Sequence, residues 1–535
     1  MKPTSILALI LFLGVVAVFF ILFGPFGFNP TDDGMVLAAA RRIAEGQVPH
    51  LHFISIRPAG SALLHLPDLL LGGDYTFLIS RLIVTLQLAM IAFCSVQFLK
   101  RYLELQLHFA ASALLYVLSF FLTVNSFPLM AWSTIDALFV ISLGLYLLGC
   151  NNGFLKNAGS LCIGFAVLCK QNFLPVPFVI LVALGEYKSI SRWLYMLMPS
   201  MVYLEWIYFA GAWPDFKMQI MARSELIQVG LIQPFQHKAL WLALFGALLL
   251  ALLHKLRSKL PAYSSLLAVG IVGGLAIVVF VMLFKNNAYR ASAYCLWGVI
   301  IGLTVYEAIT FKASRLRNAL WIVLVLAWCT GISIGYTTPI LAAGWMWVCL
   351  LFYVLLRFEP TIQLSAVLAA CVLIAAPLFY QIRSQHIYRQ GALKTLTYPL
   401  GKIAYGFQGI YSDKQTFACL RELQLLTQKY PSGHFLLFDF AGFRATHRLV
   451  NALPVDWIGS GELPTPALQE KVKAGLFSNR KTRYVFIQKY CTDVIGQQRL
   501  PIEALQDSFC LKFRTAVMES TIKYDEHEFF DVYRR

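Results

Sequence analysis

The run Ile6-Leu-Ala-Leu-Ile-Leu-Phe-Leu-Gly-Val-Val-Ala-Val-Phe-Phe-Ile-Leu-Phe23, followed after Gly24-Pro-Phe-Gly-Phe28 by Asn29-Pro30-Thr31-Asp32-Asp33-Gly34, decides how this chain is read. An unbroken apolar run of this length is enough to cross a bilayer as a helix. It has the outline of a signal peptide, but the residues that follow it are bulky and offer no small-residue cleavage site. It therefore reads as an uncleaved first span. Asp32 and Asp33 stand just beyond its end, in a chain that places few acids in its hydrophobic part. A carboxylate pair at the mouth of a membrane-embedded cavity points to proton chemistry or cation handling.

Composition agrees with a polytopic membrane protein. The chain has 535 residues, 59% hydrophobic and 13% charged, with mean hydropathy +0.67. Soluble domains carry about 25% charged residues. Net charge is +17, but the basic residues do not form one patch, which excludes nucleic acid as the partner. Eleven cysteines show no CxxC and no Cys/His metal spacing. Eight of them lie in or beside apolar segments, where Cys acts as a small hydrophobe.

Hydropathy places about thirteen spans, near 6–24, 76–99, 107–124, 132–149, 157–169, 173–186, 193–212, 239–253, 263–284, 292–311, 319–337, 339–356 and 363–380. The divisions within 157–186 and 319–356 have alternatives. Alternate loops carry Lys2, Lys100-Arg101, Lys156, Lys188 and Arg192, Lys255 to Lys259, Lys312 with Arg315 and Arg317, and Arg357. Basic loops mark the cytoplasmic side. The opposite set holds Asp32-Asp33, Asn125-Ser126, Trp213-Pro-Asp215 and the tail. An odd span count then places the tail outside. The expected fold class is an α-helical polytopic membrane protein with a C-terminal extracytoplasmic α/β domain. Residues 1–380 form the membrane module, with long outside loops at about 25–75 and 213–238, and 381–535 form the α/β domain. Strands are expected at Phe435–Phe440, Tyr484–Gln488 and Phe529–Tyr533, with helices at about 415–430 and 466–476.

Four polar clusters interrupt this pattern. Met35 to Glu45 forms a short amphipathic helix on the membrane surface, with Arg41, Arg42 and Glu45 turned from its apolar face. Thr31, Asp32 or Asp33 can cap it, although one cap explains one residue and not two. Arg57 precedes Pro58 where the chain turns back to the membrane, and can snorkel to headgroups or grip a phosphate with its fork of donors. Lys170, Gln171 and Asn172 divide two apolar runs, at a depth where a charge usually faces a cavity. A tight turn with a solvated lysine is the alternative. Lys285 and Arg290 form another basic cluster on the outer side, which is either an ordinary loop or part of a site for an anionic, membrane-bound ligand such as a polyprenyl phosphate. His50 and His52 share a loop with the acidic pair, a set able to hold a divalent cation. Leu51 between them and the lack of HxxxH spacing speak against a metal. Cys491 and Cys510 either bridge in an oxidising compartment or remain thiols. Gly270, Gly273 and Gly274 read as helix-packing glycines.

Together, Thr31-Asp-Asp-Gly-Met-Val-Leu-Ala-Ala-Ala-Arg-Arg-Ile-Ala-Glu-Gly46, Ile56-Arg-Pro-Ala-Gly60 and Leu168-Cys-Lys-Gln-Asn-Phe173 resemble the GT-C membrane glycosyltransferases. The nearest likeness is to the bacterial branch of protein O-mannosyltransferases and the lipid A aminoarabinose transferase. The motifs cover about sixty residues, and the architecture covers the whole chain. Two positions depart from the pattern. The family commonly has Asp-Glu where this chain has Asp32-Asp33, and often a carboxylate where it has His52. The resemblance implies a multi-pass protein of the bacterial inner membrane, with active site and C-terminal domain on the periplasmic side. The donor would be a sugar on a polyprenyl phosphate, and the acceptor a hydroxyl of a lipid, glycan or protein. Asp32 would be the general base of an inverting transfer, and Asp33 would orient acceptor or base. Arg57, Lys170, Arg290 and Lys285 would bind the leaving phosphate. His50, His52, Gln171 and Asn172 would line the site. Two other classes stay open. One is a transporter or flippase of a lipid-linked glycan, which would more often place its ionisable groups mid-span. The other is a non-catalytic scaffold, which leaves the charges at the membrane surface without a role.

Overall fold

The computed structural model describes residues 3–125, 127–259, 261–312, 314–333, 337–359, 364–436, 440–447, 453–478 and 483–535. Helix α1 (Pro3–Phe23) leads into α2 (Met35–Ala44), α3 (Gly60–Leu64) and α4 (Leu66–Gly72). Next come α5 (Thr76–Tyr102), α6 (Phe109–Val124), α7 (Ser133–Leu148), α8 (Gly153–Cys169), α9 (Pro175–Ala183) and α10 (Ile190–Phe209). Two short helices, α11 (Trp213–Met221) and α12 (Glu225–Ile232), precede α13 (Lys238–Leu256), α14 (Pro261–Phe280), α15 (Tyr289–Thr310), α16 (Arg315–Gly331), α17 (Ala343–Phe358) and α18 (Leu364–Gln385).

Each of the thirteen expected spans is occupied by one of these helices. Among the described residues, seven helical segments are long and apolar enough to cross a membrane by length and composition, and four shorter apolar helices accompany them. The divisions inside 157–186 and 319–356 fall after Cys169 and after Gly331.

Lipid cannot drive these helices together by hydrophobicity, so close packing must. A Cβ on Gly144 would lie 2.7 Å from the Gly159 carbonyl oxygen, and one on Gly298 would lie 2.6 Å from that of Leu240. These glycines let α7 meet α8 and α15 meet α13. The glycines of α14 do not: a Cβ on Gly270, Gly273 or Gly274 would touch nothing within 4 Å. The packing role expected for them falls instead to glycines whose helix faces are covered by a neighbouring backbone.

Ion pairs tie the basic loops together at one end of the bundle. Lys156 reaches Glu186 at 2.7 Å, Arg357 reaches Glu307 at 2.6 Å, and Arg315 pairs with Glu104. Lys2 and Ser126 of the loop assignment lie outside the described residues.

After α18 the chain forms a two-stranded ribbon of β1 (Tyr398–Pro399) and β2 (Tyr411–Ser412), then α19 (Lys414–Lys429). A four-stranded sheet follows, built from β3 (Gly433–Leu436), β4 (Tyr484–Gln488), β5 (Ile522–Glu526) and β6 (Phe530–Arg534) in the order β3-β4-β6-β5. β3 and β4 are parallel and the other pairs antiparallel. Helices α20 (Ala441–Thr446), α21 (Pro466–Ser478) and α22 (Ser508–Glu519) complete the region. Of the expected strand Phe435–Phe440, residues 437–439 lie outside the described set. β5 carries no apolar alternation because it is an exposed edge strand, and hydropathy could not mark it.

The first long loop and the C-terminal region share two cores. Phe28, Leu37 and Phe77 pack with Phe407, Phe440 and Phe443, and Ile54 and Ile56 pack with Leu453, Val455 and Ile458. Helix α2 is therefore roofed by protein and does not lie on an open membrane surface. Arg42, expected to point outward, is 4% exposed and grips Asp456 with Nε and Nη2 at 2.6 and 2.9 Å. Its position opposite the apolar stripe faces a partner region that the helix's own pattern does not reveal.

Gly34 makes this contact possible. A Cβ there would lie 2.1 Å from the Gly442 Cα, and Gly442 N donates to the Pro30 carbonyl at 2.7 Å. Backbone cannot yield as a side chain would. Gly34→Ala is expected to destabilise the protein by about 1–3 kcal/mol, read by thermal unfolding in detergent. Wild-type stability in that variant would show that the two segments do not abut.

Candidate active site

Two cavities meet around Arg57. The larger, about 920 Å³, is walled by Met35, Val36 and Ala39 of α2, by Phe53 to Ser55, Arg57 to Ala59, Ser61 and Ala62, by Trp132 and Ser133, and by Ala441, Val455, Asp456, Trp457 and Glu462. The smaller, about 350 Å³, is walled by Ile56, Arg57, Lys170, Gln171, Asn172, Arg223, Leu226, Ile332 and Ser333. Three cations and no carboxylate line the smaller one.

The backbone brings those cations together. A Cβ on Gly60 would lie 2.4 Å from the carbonyl carbon of Leu168. Only glycine lets the chain after Arg57-Pro58 lie against the end of α8, and Lys170 follows directly. Lys170 is 4% exposed and donates to Thr134 Oγ1 at 2.8 Å. Burial, and then the charge of Arg57, push its ammonium down to about 7. An anion in this cavity favours the charged form. Arg57 Nη1 reaches the two carboxylate oxygens of Glu462 at 3.1 and 3.4 Å. Arg223 donates to the carbonyl oxygens of Ser460 and Gly461, each at 2.8 Å. Gln171 Nε2 donates to the Ile56 carbonyl at 2.9 Å, and Asn172 Nδ2 donates to the Ile332 carbonyl. The arrangement suits a phosphate, which the forked guanidinium binds in two places.

The acidic pair splits between two partner sets. Asp33 is a buried ion-pair partner of Arg81, with Oδ1 at 3.0 Å from Nη2, while its Oδ2 accepts from Asn29 N at 2.7 Å. Burial nevertheless pushes its carboxyl above the ordinary range, against the pull of Arg81. Asp32 is 2% exposed; its Oδ2 accepts from the Tyr388 hydroxyl at 2.7 Å and lies 3.1 Å from Arg389 Nη1. The same Arg389 nitrogen lies 3.1 Å from Asp493 Oδ2. The capping role considered for Thr31, Asp32 and Asp33 is not taken: Gly34 is the N-cap of α2, and no side chain caps it. Asp32 faces Tyr388 and Arg389, and neither cavity lining includes it. It stands just ahead of Met35, the first residue of the larger cavity's wall.

Other expected site residues are elsewhere. His50 is fully buried between Gln219 Oε1 at 3.1 Å and the Tyr203 hydroxyl at 2.8 Å. Burial pushes its pKa down to about 4, so it packs as a neutral ring. His52 is exposed and its Nδ1 accepts from Val48 N at 2.7 Å. Lys285 and Arg290 are exposed and line neither cavity. Among the described residues no group of three or more His, Cys, Asp and Glu is arranged to hold a metal. Cys491 directs its thiol to the Pro501 carbonyl at 3.6 Å.

Sequence reasoning passed over Arg81, Arg223, Tyr388, Arg389, Trp457 and Glu462. Arg81 did carry a signal, as a lone cation inside an expected span. The others sit in polar segments with no local pattern to mark them.

No family model and no curated protein matches this chain. Among solved structures it is similar to ArnT from Cupriavidus metallidurans, crystallised with undecaprenyl phosphate. The identity is 13% and the TM-score 0.41, over 98% of this chain and 97% of that one.

Proposed function

We propose that this protein is a membrane glycosyltransferase that moves a sugar from a polyprenyl-phosphate donor to an acceptor hydroxyl. The observation that carries the reading is the cluster of Arg57, Lys170 and Arg223 opening beside a cavity walled by Trp132, Trp457 and Glu462. An anionic lipid headgroup fits the cations, and aromatic and carboxylate walls suit a sugar. The acceptor oxygen bonds to the anomeric carbon while the bond from that carbon to the phosphate oxygen breaks. The electron pair leaves on the phosphate, where the cations stabilise it. A general base takes the hydroxyl proton, and attack opposite the leaving group inverts the sugar. Asp32 is the proposed base. For that role its carboxylate must exchange the Tyr388 hydroxyl and Arg389 for the acceptor. In this reading the site and the C-terminal region are periplasmic, opposite the basic loops.

The test is a reconstituted assay with a panel of polyprenyl-phosphate sugars. Wild type should turn over at least one donor. Asp32→Asn should lose about 10²–10⁴-fold in rate and still bind polyprenyl phosphate. Retained turnover in that variant would sink the base assignment.

One observation favours transport. His65 lies buried between Asp68 Oδ2 at 2.7 Å and Asp136 Oδ1 at 2.9 Å, and Gln87 donates to the same Asp136 oxygen at 3.0 Å. Ionisable groups inside a helical bundle are frequent in proton-coupled carriers. Absence of turnover with every donor, together with proton-driven lipid movement in vesicles, would select that reading.

A further inference from the structure

The cavity beside the cations is walled by groups whose individual contacts the transfer reaction as described leaves unassigned. Three of these groups come from one stretch of the C-terminal region, Asp456 to Glu462. Asp456 is committed, since Arg42 holds both its oxygens at 2.6 and 2.9 Å. Trp457 differs. It lines the cavity, and its indole nitrogen is buried and hydrogen-bonded to no described atom. A buried N–H without an acceptor is costly to keep, and a small turn of the Trp457 side chain, which already lines the cavity, would give it a ligand oxygen as acceptor. Glu462 also lines the cavity, and its carboxylate meets Arg57, a cation shared by both cavities.

Arg57 therefore faces two anions in turn. With no ligand it pairs with Glu462. When a phosphate enters the smaller cavity, the guanidinium fork has a stronger partner, and the Glu462 carboxylate is left beside the larger cavity. A carboxylate there accepts hydrogen bonds from vicinal hydroxyls, and the indole N–H donates to a hydroxyl or ring oxygen. Arg223 ties the carbonyl oxygens of Ser460 and Gly461, so the segment stays docked during the exchange.

Resting on the glycosyltransferase reading, we infer that Trp457 and Glu462 recognise the sugar of the donor, after Glu462 yields Arg57 to the donor phosphate. The segment thus sets sugar specificity, while the cations bind the lipid phosphate whatever it carries.

The experiment compares binding of two ligands by the full chain in nanodiscs: undecaprenyl phosphate, and the undecaprenyl-phosphate sugar that gives the best turnover. Trp457→Phe keeps an aromatic ring and removes the five-membered half of the indole with its N–H. It should leave affinity for the bare lipid phosphate unchanged and weaken the sugar-bearing donor about tenfold, as losing one buried hydrogen bond does. Glu462→Gln should bind the bare lipid phosphate several-fold more tightly, because Arg57 no longer has a competing anion. The same variant should lose much of the preference for the sugar-bearing donor, and Glu462→Asp should restore part of it. Equal changes for both ligands in both variants would overturn the inference and leave the segment a structural one. An unchanged ratio of affinities in both variants would overturn it as well. Wild type that binds neither ligand would instead overturn the glycosyltransferase reading itself.

Discussion

Arg57→Ala is expected to lower the rate of sugar transfer by about 10²–10³-fold, the usual cost of removing one donor aimed at a developing negative charge. Arg57 is the cation common to both cavities, which in the proposed reading puts it where the leaving phosphate and the sugar meet. Lys170 and Arg223 remain in the variant, which keeps lipid binding measurable. Arg57→Lys should recover only part of the rate, because an ammonium is a point charge without the fork. The variant also strips Glu462 of its partner at 3.1 Å. The double variant Arg57→Ala/Glu462→Gln separates that effect from the lost phosphate contact. Turnover within a few-fold of wild type in Arg57→Ala would remove Arg57 from the donor site.

Arg81→Met is expected to be the most damaging change to stability, by about 3–5 kcal/mol. Arg81 is buried and holds four oxygens at once. Nη1 donates to the carbonyl oxygens of Gly24 at 2.9 Å and Phe26 at 3.3 Å, and Nη2 donates to Gly27 and, at 3.0 Å, to Asp33. Methionine fills similar space and leaves a carboxylate and three carbonyl oxygens without their donor. The deficit should depend on pH. Burial raises the Asp33 pKa above its ordinary 3.8. A raised carboxyl contributes stability below its unfolded value and loses it as pH rises through the folded one. Without Arg81 that loss has no opposing charge, so the gap between variant and wild type should widen from acid toward neutral pH. Thermal unfolding across pH checks this, and a constant gap would show that the lost carbonyl contacts dominate. Asp33→Asn should cost less than Arg81→Met, since the carbonyl bonds of Arg81 stay in place, although its buried guanidinium loses its counter-charge.

Helix positions were legible because crossing a bilayer demands a local run of apolar residues, and α1 and α5 to α18 show it wherever a span is expected. Arg57 and Lys170 were legible singly, as charges interrupting apolar context, and the structure brings them to one cavity. The partners of Asp32 were not. Tyr388 and Arg389 lie just after α18, far along the chain, and no local pattern points from one to the other. Arg42 misled because an amphipathic stripe shows only that its opposite face is polar. It cannot tell water from a buried carboxylate. Lys285 and Arg290 had the right chemistry for a phosphate, and the fold leaves them exposed outside both cavities.

The class of molecule, the order of its helices and the split between basic loops and acidic first loop can all be read from the chain without its fold. Those are sums of local hydropathy and charge, which each segment carries unaided. Tertiary structure alone decided which charges meet. Arg57 with Glu462, Arg42 with Asp456 and Asp32 with Arg389 each join the first loop to residues more than 350 positions away. Such pairings depend on the path of the whole chain through the membrane bundle and back over its mouth. Burial is most complete for Arg42 with Asp456, where a charge removed from water must find its partner inside the protein, whereas Arg57 and Arg389 stay part-exposed and able to exchange theirs.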